Sequence, residues 1–300
     1  MIAIWSDTYY TTTETLSKPY LVFSIETDDE PIFRGKAWLK PDSVAITINL
    51  NQYCKDYLRM DMMDLLGVTG TTTYTHIDAV KEFVLRDENS NVLGRYTFVN
   101  DWSYEYMNYN NTPLNMSRPI NGKGVNGMLY FYTYLDSDNK VKTMISPTLT
   151  DVNNNARANL YNLDGKACNP KYALYYLNRY GGWDSFLIEG KTTKKDTYKN
   201  YFTENKYNNN TIQFGKKVYH NTITTTYTLN TGWLNDKQSE RLAFNLLSSN
   251  MVYLHDLEND TIKPVLITNT ETDYKTFRNQ GNKLCSYTIS LECSQKQFNV

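Results

Sequence analysis

The stretch YYLNRYGGWDSFLIEG, Tyr175 to Gly190, places two aromatic and aliphatic runs on either side of Asn178, Gly181, Gly182 and Asp184. The runs YALYYL and SFLIEG read as strands and the residues between them as a turn. Gly181 and Gly182 permit positive φ in a tight connection, while the short polar side chains of Asn178 and Asp184 can close it by bonding to the backbone. Trp183 and Phe186 then have a sheet to pack against. A β-hairpin with an aromatic flank accounts for every residue, so the chain is read outward from a sheet.

Downstream, TITTTYTLN alternates Ile223, Thr225, Tyr227 and Leu229 against a threonine face, and TIQFG before it reads as a further strand. Asn235 with Gln238 three residues later resembles a capping box, and Leu242, Ala243, Leu246 and Leu247 give the helix an apolar stripe ending near Asn250. MVYLHD and KPVLIT read as a hairpin. LCSYTISLEC sets Cys285, Tyr287, Ile289 and Leu291 on one face and Ser286, Thr288, Ser290 and Glu292 on the other, so its buried face is plain.

Upstream, YLVFSIET puts Leu21, Phe23 and Ile25 on one face, DDEP supplies a turn, and IFRGKAWL and SVAITINL follow as two more strands. Asn51 reads as the N-cap of a short helix carrying Tyr53, Cys54, Tyr57, Leu58 and Met62. AVKEFVLR, DENSN and VLGRYTFV make a hairpin, as do MLYFYTYL, DSDNK and VKTMI. Between them, Asn100 to Asn126 is rich in Asn, Tyr and Pro without a period and reads as a long contact-making loop. These segments predict a mainly β (α+β) chain of antiparallel, sandwich-like sheets. Residues 1–105 form a β-rich domain with a short helix, 106–165 a long loop plus a hairpin, and 166–300 a second β-rich domain with its helix near 235–249. Both halves repeat one coarse order: strands, one amphipathic helix, then more strands.

Composition narrows function. Across 300 residues, 31 Lys+Arg against 32 Asp+Glu leave a formal net charge of −1, which gives no reason to expect nucleic acid or an anionic membrane as partner. The cluster Lys191, Lys194, Lys195 and Lys199 reads as a solvated loop. With 26 Tyr residues, much of the apolar surface is amphipathic and suits half-exposed sheets and interfaces. MIAIWSDTYY has no basic n-region, so no secretory signal is expected. Cys54, Cys168, Cys285 and Cys293 lack metal or redox spacing. Cys285 and Cys293 lie roughly 26 Å apart along one strand, too far for a disulfide, so reduced core cysteines are expected.

No catalytic pattern in the sequence is complete. GKGVNG fits the dinucleotide fingerprint at Gly122, Gly124 and Gly127, yet a strand follows where a helix must hold the pyrophosphate. DENSN imitates a calcium loop at Asp87, but Val92 and Phe98 replace the required Gly and Glu. Asp136 and Asp138 sit in a similar turn. His76, His220 and His255 are scattered, no G-x-S-x-G elbow accompanies His255 and Asp256, and Asp28, Asp29 and Glu30 read as a strand end. No enzyme, cofactor or metal is expected.

Three segments carry a family resemblance. The phrase of an aromatic strand, LN, an aromatic, GG, an aromatic and a nearby Phe resembles one that recurs in virion proteins of tailed bacteriophages and prophages of Bacteroidetes-type bacteria. Ile32 to Leu58 resembles their N-terminal strand-strand-helix, and Thr231 to Asn269 the helix-then-hairpin ending of tail structural proteins. Together they cover under half of the chain. The resemblance implies a non-enzymatic tail, distal-tail or baseplate-hub subunit with a tail-tube-like fold, located in the virion after assembly in the host cytoplasm. Its implied partners are its own copies, in a three-fold or six-fold ring, and other virion proteins. Asn178, Gly181, Gly182, Trp183, Asp184 and Phe186 are its structural motif. The alternative is a module for cell-surface glycans, with Trp102, Tyr104, Tyr106 and Tyr109 as candidate contacts, since aromatic faces beside polar side chains suit sugars. The same four residues are candidate interface contacts under the assembly reading.

Overall fold

A computed structural model describes residues 1–12, 18–28, 30–58, 70–100, 113–116, 127–147, 171–204, 215–269, 285–295 and 297–299. The fold is mainly β, with 58% strand against 8% helix among the described residues, in several antiparallel sheets, as the alternation predicts. The chain divides into two compact units, the first holding the elements up to Ser146 and the turn Asn178–Trp183, the second the remaining elements.

The first unit is built on a five-stranded sheet. Its strands are β1 (Ile2–Ala3), β3 (Tyr20–Thr27), β4 (Glu30–Trp38), β7 (Val80–Asp87) and β8 (Val92–Val99), in the order β1-β8-β7-β3-β4. All neighbours are antiparallel except β1, which runs parallel to β8 with Ile2 opposite Phe98. Alternation turns Phe23, Ile25, Phe83, Leu85 and Phe98 into one core. Over it lies α1 (Asn51–Cys54), followed by the 3₁₀ turn Lys55–Tyr57, which contributes Cys54 and Leu58, and Tyr53 packs on Phe33 with ring centroids 4.1 Å apart.

Two local expectations change here. SVAITINL is extended only at β5 (Thr47–Asn49), which pairs with β2 (Tyr9–Thr11) outside the main sheet. Asn51 is the first helical residue, and Leu50 is the cap. The Asn51 side chain accepts from the Thr8 N–H at 2.8 Å and donates to the carbonyls of Ile4 and Ser6, so it pins the N-terminal segment instead of the helix end. Met62 lies outside the described residues.

A four-stranded sheet, β6 (Thr72–His76), β11 (Val141–Ser146), β10 (Tyr130–Leu135) and β9 (Pro113–Met116) in that order, completes the unit. β9 falls within the segment read as loop. Inside this sheet His76 Nε2 bonds the Thr143 hydroxyl at 2.7 Å, which bonds the Thr133 hydroxyl at 2.8 Å. Burial pushes the His76 imidazole down to about 4.

The second unit is one sheet of β12 (Tyr172–Leu177), β13 (Trp183–Ile188), β14 (Thr192–Glu204), β15 (Lys216–Asn230), β16 (Val252–Asp256), β17 (Thr261–Ile267), β18 (Thr288–Cys293) and β19 (Gln297–Asn299). The order is β13-β12-β16-β17-β18-β15-β14, with β19 beside β15. The capping box forms: Asn235 Oδ1 accepts from Gln238 N at 2.9 Å and Gln238 Oε1 from Asn235 N at 2.8 Å. It starts α2 (Asp236–Arg241), which continues as a π-helical turn over Leu242–Leu246, and Leu242 and Leu246 enter a core with Phe186, Leu229, Ile289 and Leu291. TIQFG lies almost wholly outside the described residues. The lysine cluster is corrected: Lys194, Lys195 and Lys199 stand on β14, a strand of 13 residues, not on a loop. Cys54 and Cys293 are free thiols, and burial raises Cys54 to about 12.

The two units share a pairing scheme. In the first, the hairpin β3-β4 precedes α1, the hairpin β7-β8 follows it, and the sheet order is β4-β3-β7-β8. In the second, the hairpin β12-β13 precedes α2, the hairpin β16-β17 follows it, and the order is β13-β12-β16-β17. Each joins the first strands of its two hairpins antiparallel, Ile25 facing Leu85 in one and Leu174 facing Leu254 in the other. The flanks differ, with parallel β1 beyond β8 and antiparallel β18 beyond β17.

Candidate functional site

The turn at Asn178 is the best-determined feature of the sequence motif. Asn178 Oδ1 accepts from Tyr180 N and Gly182 N, both at 3.0 Å, while Asn178 N donates to the Gly182 carbonyl at 2.8 Å. Gly181 alone of the two glycines takes positive φ, +87°, which a side chain resists. It faces Asn100, whose Nδ2 donates to the Leu58 carbonyl at 3.2 Å and whose N–H donates to the Ala79 carbonyl at 2.9 Å. Trp183 is buried with its ring centroid 6.3 Å from that of Phe131, and Tyr180 meets Trp5 edge-on at 5.1 Å.

Asp184 does not close the turn. Its carboxylate is 2% exposed, accepts from Arg241 Nη2 at 2.9 Å and from Ser185 N at 3.1 Å, and so ties β13 to the last residue of α2. Phe186 is fully buried in the core of the second unit. Of the motif, Asn178, Trp183, Asp184 and Phe186 are buried, so its side chains build the fold and offer little to a ligand. Trp102, Tyr104, Tyr106 and Tyr109 lie outside the described residues, as do Gly122 and Gly124 of GKGVNG.

The remaining chemical candidates resolve into local bonding. Asp87 accepts from Asn89 N and Asn91 N, both at 2.8 Å, and from Asn91 Nδ2 at 2.9 Å, which holds its carboxyl below the usual range. Asp136 accepts from Asp138 N and Lys140 N and pairs with Lys142 at 2.9 Å, with the same effect on its carboxyl. His255 is buried between the Tyr175 hydroxyl on Nδ1 at 2.8 Å and Asp260 Oδ1 on Nε2 at 2.9 Å. His255 thus pairs with Asp260, not with the adjacent Asp256, whose carboxylate binds its own turn at Glu258 and Asn259. Among the described residues no three His, Cys, Asp or Glu side chains converge to hold a metal, and no helix is long and apolar enough to cross a membrane.

The surface that sequence reading missed is the hairpin β14-β15. The two strands pair from Thr192 opposite Leu229 to Glu204 opposite Lys216, so a two-stranded arm extends beyond the part of β15 that β18 covers at Thr226–Asn230. β19 reaches only Asn221–Ile223 on the outer side of β15, and β14 has no other strand partner among the described residues. One face of the arm carries Tyr198, Phe202 and Val218, which are 61%, 47% and 43% exposed, with Phe202 directly opposite Val218. A bulge at this point leaves Tyr219 as the extra residue, 61% exposed and 6.4 Å from Tyr201. The other face is mainly Thr and Lys, with Tyr201 opposite His220. The spacing of Tyr198 and Phe202 at even positions is the available signal, masked by the lysines before them and by Lys199 between them.

Comparison with known proteins adds nothing to this geometry: no family model, curated protein or solved structure matches the chain.

Proposed function

We propose that the chain is a non-enzymatic structural subunit of a bacteriophage tail or tail tip, a distal-tail, baseplate-hub or ring component, that works by assembling into a closed ring in the virion. The observation that carries this reading is the β14 edge. A strand of 13 residues whose outer edge has no strand partner among the described residues presents a row of N–H and C=O groups to any second chain, and proteins normally shorten, cover or interrupt such edges. Here the edge adjoins an exposed apolar stripe of Tyr198, Phe202 and Val218, which supplies the hydrophobic contact that edge pairing alone lacks. Lys194 and Lys195 stand at the base of the strand and discourage indiscriminate pairing there.

The repeated hairpin-helix-hairpin order supports the same reading. A head-to-tail contact generates a ring when its rotation closes, and a chain holding two modules of one pairing scheme gives a ring twice as many modules as subunits. A three-fold ring would then offer six-fold partners among the other virion proteins an approximately matching number of modules. Negative-stain images of the purified protein at high concentration test this. Closed rings are the expected result. Open filaments or particles without rotational symmetry overturn ring closure.

A further inference from the structure

We infer that the solvent face of the five-stranded sheet, at the β3-β4 hairpin, is a binding site for an acidic polysaccharide. This inference does not rest on the assembly reading and uses a surface of the first unit alone. Trp38, the last residue of β4, is 63% exposed and lies directly opposite Tyr20, with ring centroids 5.1 Å apart at 57°. Lys36 and Lys18 place their ammonium groups 4.8 and 5.7 Å from the Tyr20 centroid, which leaves the Trp38 ring as the open aromatic surface. An exposed indole framed by polar side chains is what the apolar face of a pyranose ring stacks on.

The charges beside it select an anionic sugar. Strand pairing sets Lys36 opposite Val22 and Arg34 opposite Ser24, and Ser24 opposite Arg86 on its other side, so all point to the same face as Trp38. Two acids answer these cations and both are spent: Glu26 accepts from Arg86 at 2.6 Å, and Glu88 pairs with Lys18 at 3.0 Å. Among the described residues no carboxylate pairs with Arg34 or Lys36, so the face carries two uncompensated positive charges in a chain whose net charge is −1. The Arg34 guanidinium beside Ser24 is suited to a carboxylate, which Arg can hold with two parallel bonds. From Trp38 to Arg34 is roughly 13 Å at the strand rise, which calls for a chain of several sugars and not a single residue.

Other occupants fit less well. A protein partner would need a contiguous apolar patch, whereas Trp38 stands among Lys18, Lys36 and Arg34. Single-stranded nucleic acid would need a groove lined with many more cations than two.

The test is affinity electrophoresis of the full chain in native gels containing polygalacturonate, hyaluronate or neutral dextran, with Kd from calorimetry and a competing thymidine 30-mer. Retardation by an acidic polysaccharide but not by dextran, weakened in high salt, is expected. Trp38→Ala and the double variant Arg34→Gln/Lys36→Gln should each weaken binding by roughly tenfold or more, while melting temperature and mass stay unchanged. The inference is overturned if neither acidic polymer retards the protein, if Trp38→Ala binds as well as the parent, or if the 30-mer binds more tightly than both polysaccharides. It is equally overturned if Trp38→Ala changes the assembly mass and leaves retardation intact, since the face would then be a subunit contact.

Discussion

A Cβ built on Gly181 would lie 1.7 Å from the Asn100 amide oxygen, closer than any non-bonded contact permits. The glycine also has φ of +87°, so steric and conformational demands fall on one position. Gly181→Ala is expected to cost about 2–4 kcal/mol, from strain at positive φ plus displacement of Asn100 from its bond to the Leu58 carbonyl. Gly182→Ala, with no positive φ to strain, should cost less. Chemical denaturation of both variants measures the difference, and equal losses would contradict it.

Arg241→Met removes the guanidinium from the buried Asp184 carboxylate and is expected to destabilise by about 3–5 kcal/mol. Replacing both groups together, Asp184→Leu with Arg241→Met, should recover much of that loss, because the desolvation cost of the carboxylate disappears with it. A double-mutant cycle in denaturant reads the coupling.

Asn235→Ala removes one half of a reciprocal capping box and should cost about 1 kcal/mol. Because Leu242 and Leu246 lock the helix from its other end, the loss should appear as a lower melting temperature without loss of helix at 20–25 °C, checked by circular dichroism.

His76 gives stability a pH dependence of definite sign. Its folded-state value of about 4 lies below the ordinary 6.5, so the fold prefers the neutral ring and the unfolded chain binds the proton first. The contribution is fully present above pH 6.5 and is lost as pH falls from 6.5 through 4, by an amount on the order of 3 kcal/mol. His76→Gln, which keeps a polar partner for Thr143, should flatten the decline in stability over that window. An unchanged acid slope would contradict the assignment.

Strands whose two faces differ were legible in the sequence. Phe23 and Ile25, Phe83 and Leu85, and Ile289 and Leu291 mark their buried faces by simple alternation, and Asn235 with Gln238 announces a helix start through contacts three residues apart. β14 was not legible, since both of its faces meet solvent and alternation there has no core to encode. Asp184 reads as a turn residue because a sequence displays only local hydrogen-bond partners, whereas Arg241 is 57 positions away. Asn51 misled for the same reason, with a side chain that reaches across 43 positions to Thr8. The order of strands in either sheet is likewise set by distant pairings such as β3 with β7, which no local pattern records.

Ring assembly through the β14-β15 arm stands or falls most directly on the mass in solution. Light scattering on the parent chain and on Phe202→Asp, at matched high concentration, separates the edge from every other surface. The substitution falls on a residue 47% exposed, so fold stability should change by no more than about 0.5 kcal/mol. The account predicts three or six times the chain mass for the parent and the mass of one chain for Phe202→Asp. Equal masses for the two proteins would contradict it.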